Sequence, residues 1–104
     1  MTGLKALRIA GDSVTTAVST GSEIAVPDKA NGTRASYVLL TVLESDASSV
    51  GFIPIQTGAT PAITTMARVS RYYPLVVDVG GNSHLRAIAV TGTVNLTVSP
   101  LENQ

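Results

Sequence analysis

Residues 73–98 read YPLVVDVGGNSHLRAIAVTGTVNLTV, three apolar runs separated by two tight punctuations. In the last run Val94, Leu96 and Val98 share one side of an extended chain, and Thr93, Asn95, Thr97 and Ser99 share the other. Successive side chains of a strand point to opposite faces, so this alternation marks a strand with one buried and one wet face. Leu75, Val77 and Val79 repeat the pattern in the first run, and Leu85, Ala87 and Ala89 in the second. Gly80-Gly81-Asn82 and Gly92 can take the positive φ angles that tight hairpin turns demand. The stretch predicts a three-stranded antiparallel meander whose apolar face the rest of the chain must cover.

Upstream, the sequence supplies more strands than helices. RASYVLLTVL (34–43) is apolar on both alternating faces and predicts a central strand. SVTTAVS (13–19) is β-branched, and residues 23–26 form a short run stopped by Pro27. VGFIPIQ (50–56) carries Pro54, which lacks a ladder donor, so this strand is expected at an edge or with a bulge. Residues 62–69 read as a further strand. DKANG (28–32), the polar segment 44–49 and TGATP (57–61) read as loops. No 12-residue stretch has a convincing helical period. Eight or nine short strands with regular turn signals predict an all-β, antiparallel two-sheet sandwich of jelly-roll type. An immunoglobulin-like sandwich is the alternative, although the chain has no tryptophan and no cysteine.

The chain of 104 residues suits one domain. We divide it into an N-terminal arm, 1–12, and a single sandwich, 13–104. The arm has no clean face: Leu4, Ala6 and Arg8 share one side of an extended chain, and Lys5, Leu7 and Ile9 the other. It reads as an extended arm or an edge strand bracketed by Gly3 and Gly11. No secretory leader is recognisable in it, and no apolar run reaches the ~18 residues that cross a bilayer.

Hydrophobic residues make up 44% of the chain but aromatic residues only 4%, so the core must be built from Val, Ile, Leu and Ala. Charged residues are 13%, about half the usual share, with seven basic and seven acidic side chains. Such a neutral, charge-poor surface suits a subunit covered by neighbours, and self-association is expected. It offers nucleic acid no basic excess. The absence of cysteine excludes disulfides, thiolate nucleophiles and cysteine metal sites.

The search for chemistry is sparse. His84 is the only histidine, and a general base needs both a reaction partner and an orienting group. Asp78 is expected to face it across the GGNS turn. Ser83 is expected to point away, because neighbours on a strand do. The other acids are scattered through loops and termini, so no catalytic residue, metal or cofactor is expected. The chain reads as a non-enzyme. Arg68, Arg71, Tyr72 and Tyr73 form a more informative group within six residues, since Arg and Tyr concentrate in the energetic centres of protein interfaces.

Taken together, SEIAVP, ASYVLLTV, VGFIPI, the Tyr-Pro-Leu lead into VVDVGG, HLRAIAV and TGTVNLTV resemble the small all-β head proteins of tailed bacteriophages. The likeness is to capsid decoration, or cement, proteins of jelly-roll type, and it spans roughly residues 13–99. The resemblance implies a virion protein on the capsid exterior, a homotrimer whose partners are the major capsid protein and its own copies. It implies no catalytic residue. Leu4 and Arg8 of the arm, with Arg68, Arg71, Tyr72 and Tyr73, are the expected contact residues. A head–tail connector, a tail or fibre component and a carbohydrate-binding sandwich are the competing readings. Sugar-binding faces usually present stacked aromatics, of which this chain has few.

Overall fold

The structure is a computed structural model that describes residues 7–19, 22–43, 45–55 and 67–103. Nine strands are present among them: β1 Leu7–Ile9, β2 Val14–Val18, β3 Ser22–Ala25, β4 Tyr37–Val42, β5 Val50–Ile55, β6 Ala67–Val69, β7 Leu75–Asp78, β8 His84–Ala89 and β9 Val94–Asn103. All pairings are antiparallel. Sheet A has the order β2-β9-β4-β7, with β1 following β2 along the same edge of β9, and sheet B has the order β3-β8-β5-β6.

The pairs β2–β9, β3–β8, β4–β7 and β5–β6 are nested. The chain is thus one long two-stranded ribbon, turned back between β5 and β6 and rolled so that β9 also meets β4 and β5 also meets β8. That is a jelly roll, the architecture expected from the strand count.

The expected local meander does not form. β7, β8 and β9 do not pair with one another, because β7 and β9 lie in sheet A and β8 in sheet B. Gly80 (φ 55) and Gly92 (φ 64) do adopt positive φ, but their bends carry the chain from one sheet to the other. Turn residues fix the local backbone and leave the partner open. Longer-range pairing decides it: β9 gains six partners on β4, five on β2 and three on β1.

β5 also departs from expectation. It lies inside sheet B, in unbroken register with β8 from Val50↔Ala89 to Ile55↔His84. Pro54 pairs with Leu85 of β8, and the positions that would face it from β6 lie outside the described residues. Of the strand expected over 62–69, Ala67–Val69 is β6; its first part, like the 57–61 loop, lies outside the described residues.

The core follows the period-two rows. Val18, Val38, Leu40, Val94, Leu96 and Val98 from sheet A meet Ile24, Val50, Phe52, Leu85 and Ala87 from sheet B, all buried. Aliphatic side chains of this size interlock between sheets at native density, and each removed from water adds about 1.5–3 kcal/mol.

Residues 7–12 are not a free arm. Arg8 pairs with Glu102 in the ladder, and their side chains form an ion pair at 2.7 Å. Ala10 donates its N–H to Pro100 O and accepts from Ala30 N. Gly11 sits so close to the 28–34 loop that a Cβ there would lie 3.0 Å from Ala30 N and Asp28 O. Both neighbours are backbone, so the loop itself would have to move. Gly11→Ala is therefore expected to cost about 1–3 kcal/mol, the usual range for overpacking, read as a lower urea midpoint at unchanged slope. Leu96→Ala, at a fully buried position on the central strand, is expected to cost about 2–5 kcal/mol.

Candidate functional site

One end of the sandwich gathers the turns β2–β3, β4–β5, β6–β7 and β8–β9. The β6–β7 connection is a tight turn, Ser70-Arg71-Tyr72-Tyr73, in which Tyr73 N donates to Ser70 O (3.1 Å) and Tyr72 N reaches Ser70 Oγ (3.4 Å). Serine in the first position of a turn commonly makes this second bond. Pro74 then leads the chain out into β7.

The geometry leaves two aromatic rings in water: Tyr72 is 66% exposed and Tyr73 76%. Arg71 donates from Nη2 to Tyr72 Oη, and its guanidinium carbon lies 4.6 Å from the centre of the Tyr72 ring. Such stacking pre-orders a long cation on an aromatic plate at little further entropic cost. The next residues, Leu75 (37%) and Val76 (49%), extend the exposed apolar surface along β7, the last strand of sheet A among the described residues. The resulting strip is amphipathic, about one turn plus one short strand that, among the described residues, pairs only with β4.

The expected contact residues are not all brought together. Arg71, Tyr72 and Tyr73 share the turn. Arg68 is exposed on β6, opposite Gly51, on the outer side of sheet B. Arg8 lies on β1 at the opposite edge of sheet A from β7, held by Glu102. Leu4 falls outside the described residues. Leu75 belongs to the row expected to be buried, but β7 ends the order of sheet A among the described residues and leaves it 37% exposed; Val76 was not singled out from the sequence.

At the same end, the β4–β5 and β8–β9 loops enclose an open cleft of about 580 Å³. Asp46 accepts the N–H of Asn95 (2.7 Å) and Ser48 accepts that of Thr91 (3.0 Å), so both side chains brace the two loops. Ser49, Thr91 and Thr93 complete a small polar lining with no aromatic side chain.

His84 has different neighbours from those expected. Asp78 is in the other sheet, where its Oδ1 accepts the N–H of Gly80 at 2.8 Å. Ser83 does not point away: its Oγ lies 2.7 Å from His84 Nδ1, because Ser83 precedes β8 and strand alternation does not govern it. The carboxylate near His84 is Glu23, on the neighbouring strand β3, 3.9 Å from Nε2 and shared with Arg86 Nη1 at 3.4 Å. At 3.9 Å the carboxylate does not orient the ring by a hydrogen bond. The group is a part-exposed polar cluster on the outer face of sheet B. Among the described residues no group of three or more His, Cys, Asp or Glu side chains is placed to hold a metal ion.

Comparison of the chain with protein-family models, with curated proteins and with solved structures finds no match.

The exposed turn contributes little to folding. Tyr73→Ala is expected to leave stability within about 0.5 kcal/mol of the parent, as surface substitutions do. A loss beyond about 2 kcal/mol in urea denaturation would mean that the ring is a structural element and not a free contact.

Proposed function

We propose that this protein is a virion structural protein that coats the exterior of a tailed-phage capsid, as a homotrimer, and clamps neighbouring major capsid subunits together. The observation that carries the reading is the β6–β7 turn. It holds Arg71 stacked on Tyr72, with Tyr73 beside it, out in solvent at the end of a stiff two-sheet body. Buried aromatic and arginine anchors dominate the energetics of protein interfaces, and here they are displayed on a short turn that needs little ordering on binding.

Three further features support the reading. The body is a sandwich with an interlocked aliphatic core, suited to transmitting load between contacts. The chain carries few charges and no net charge, which fits a surface shared with other subunits. The order of its strands and turns resembles that of phage decoration proteins. The jelly roll alone hosts many unrelated activities and contributes only the architecture.

In this reading the Arg71–Tyr73 turn meets the shell. β1 acts as part of sheet A, so removing residues 1–12 would strip a strand from β9 as well as any contact made further upstream. Point substitutions in the turn are therefore the cleaner test. Heads assembled without this protein should bind it on co-sedimentation, and Arg71→Glu/Tyr72→Ala/Tyr73→Ala should weaken that binding by at least about 100-fold while the fold persists. Equal binding by the triple variant would remove the turn from the interface. Failure of the parent protein to bind such heads would reject the shell reading altogether.

A further inference from the structure

The loop between β3 and β4 carries a dipeptide that the proposed function leaves unused, Asn31-Gly32. Asn31, Gly32 and Thr33 are all exposed. The loop around them is pinned. Asp28 and Arg34 form an isolated bridge, Lys29 N donates to Thr33 O (2.9 Å), and Ala30 N donates to Ala10 O (2.6 Å). Within this frame the Asn31 side chain turns back on its own main chain. Its Oδ1 accepts from Thr33 N (3.0 Å) and from Thr33 Oγ1 (2.6 Å). The first of these bonds closes an Asx turn. That turn contains both the Asn31 side-chain carbonyl carbon and the Gly32 nitrogen, and a bond between them would make a five-membered imide inside it.

Three features favour that bond. Two donors on one carbonyl oxygen draw electron density from Cγ, and they are already in place for the negative charge the oxygen gains when a nucleophile adds. Gly32 brings no side chain to the attack, and nothing lies within 4 Å of where a Cβ would be, so water reaches the site. The Gly32 N–H does donate to Lys29 O (2.9 Å), but this bond is at the surface, where water takes over the donor whenever the loop opens. The other asparagines lack this arrangement. Those at 82, 95 and 103 are followed by Ser83, Leu96 and Gln104, each with a Cβ that crowds the attacking nitrogen. Asn82 also spends its Nδ2 on Val79 O (3.0 Å), and Asn95 lies in the ladder of β9.

We infer that Asn31 is a self-modifying site, which loses its side-chain amide to attack by the Gly32 nitrogen, with the Thr33 hydroxyl activating the carbonyl. Hydroxide takes the proton of the Gly32 N–H and the nitrogen bonds to Asn31 Cγ. The Cγ–Nδ2 bond breaks, and Nδ2 takes a proton from water and leaves as ammonia. Water then opens the imide. Addition at Cγ leaves an aspartate at position 31 with the main chain as before. Addition at the main-chain carbonyl leaves an isoaspartate, whose main chain runs through Cβ and Cγ. Nothing is oxidised or reduced; one water is consumed and one ammonia released. Either product adds a carboxylate to a chain of seven acidic and seven basic side chains. The inference is independent of the shell reading, because it is measured on the isolated protein.

The test holds the purified full chain in neutral and in mildly alkaline buffer over days and follows it by tryptic peptide mass mapping and isoaspartate-specific methylation. Trypsin cuts after Lys29 and Arg34, so Asn31 reports alone in peptide 30–34, Asn82 falls in 72–86, and the asparagines at 95 and 103 fall in 87–104. Peptide 30–34 should exchange amide for acid at least about 10-fold faster than the other two, give both products, and react faster in the alkaline buffer. Gly32→Ala puts a Cβ at φ 85 and should slow the exchange at least about 10-fold. Thr33→Val keeps the branched shape and the N–H but removes the hydroxyl donor, and should slow it at least about 3-fold. Circular dichroism checks that both variants fold, and Thr33→Val, at an exposed position with ordinary backbone angles, guards against a loop distorted by Gly32→Ala. Exchange no faster in 30–34 than elsewhere overturns the inference. So does a Thr33→Val variant that reacts as fast as the parent or faster, since the hydroxyl would then restrain Asn31 instead of activating it.

Discussion

The fold depends on the demand that β9 be paired along both edges. Its ten residues take β4 on one side and β2 followed by β1 on the other. A strand so placed has its backbone groups met by neighbours, and burial then costs no orphaned donors. Its inward row, Val94, Leu96, Val98 and Pro100, lies at the centre of the sandwich, each nearly or fully buried. Once β9 is set between β2 and β4, β7 can only take the free edge of β4. The crossings on either side of β8 then follow, because β8 must reach sheet B to meet β3 and β5.

Much of this was legible in the residues. The rows Val94/Leu96/Val98 and Leu85/Ala87 are buried as their alternation requires, and the two-sided apolar run at 37–42 is central. What the sequence withheld was partnership. Gly80 and Gly92 take the backbone angles that their type permits, yet an inter-sheet bend and a flat hairpin both accept them. Pro54 likewise signals a missing donor, but not which neighbour the strand takes; among the described residues it pairs with Leu85 of β8. Strand order is set by non-local pairing and leaves no mark in a window of ten residues.

The candidate surface divides in the same way. Arg71, Tyr72 and Tyr73 are adjacent in sequence and stay together because one turn holds them. Arg8 and Arg68 share their residue type with that cluster but are carried to other edges and faces by the topology.

The placement of β9 has a consequence for synthesis. Translation proceeds from the N-terminus, so β1, β2 and β4 leave the ribosome well before the strand that joins them. Until residues 94–103 emerge, β2 has no partner and the inward side chains of β4 lack half of their lateral cover. The nascent chain must therefore carry its Val and Leu rows uncovered for most of its length, and sheet A closes late, through contacts distant in sequence. Slow, all-at-once closure of this kind exposes a growing chain to holdase capture or to pairing with its neighbours on a polysome.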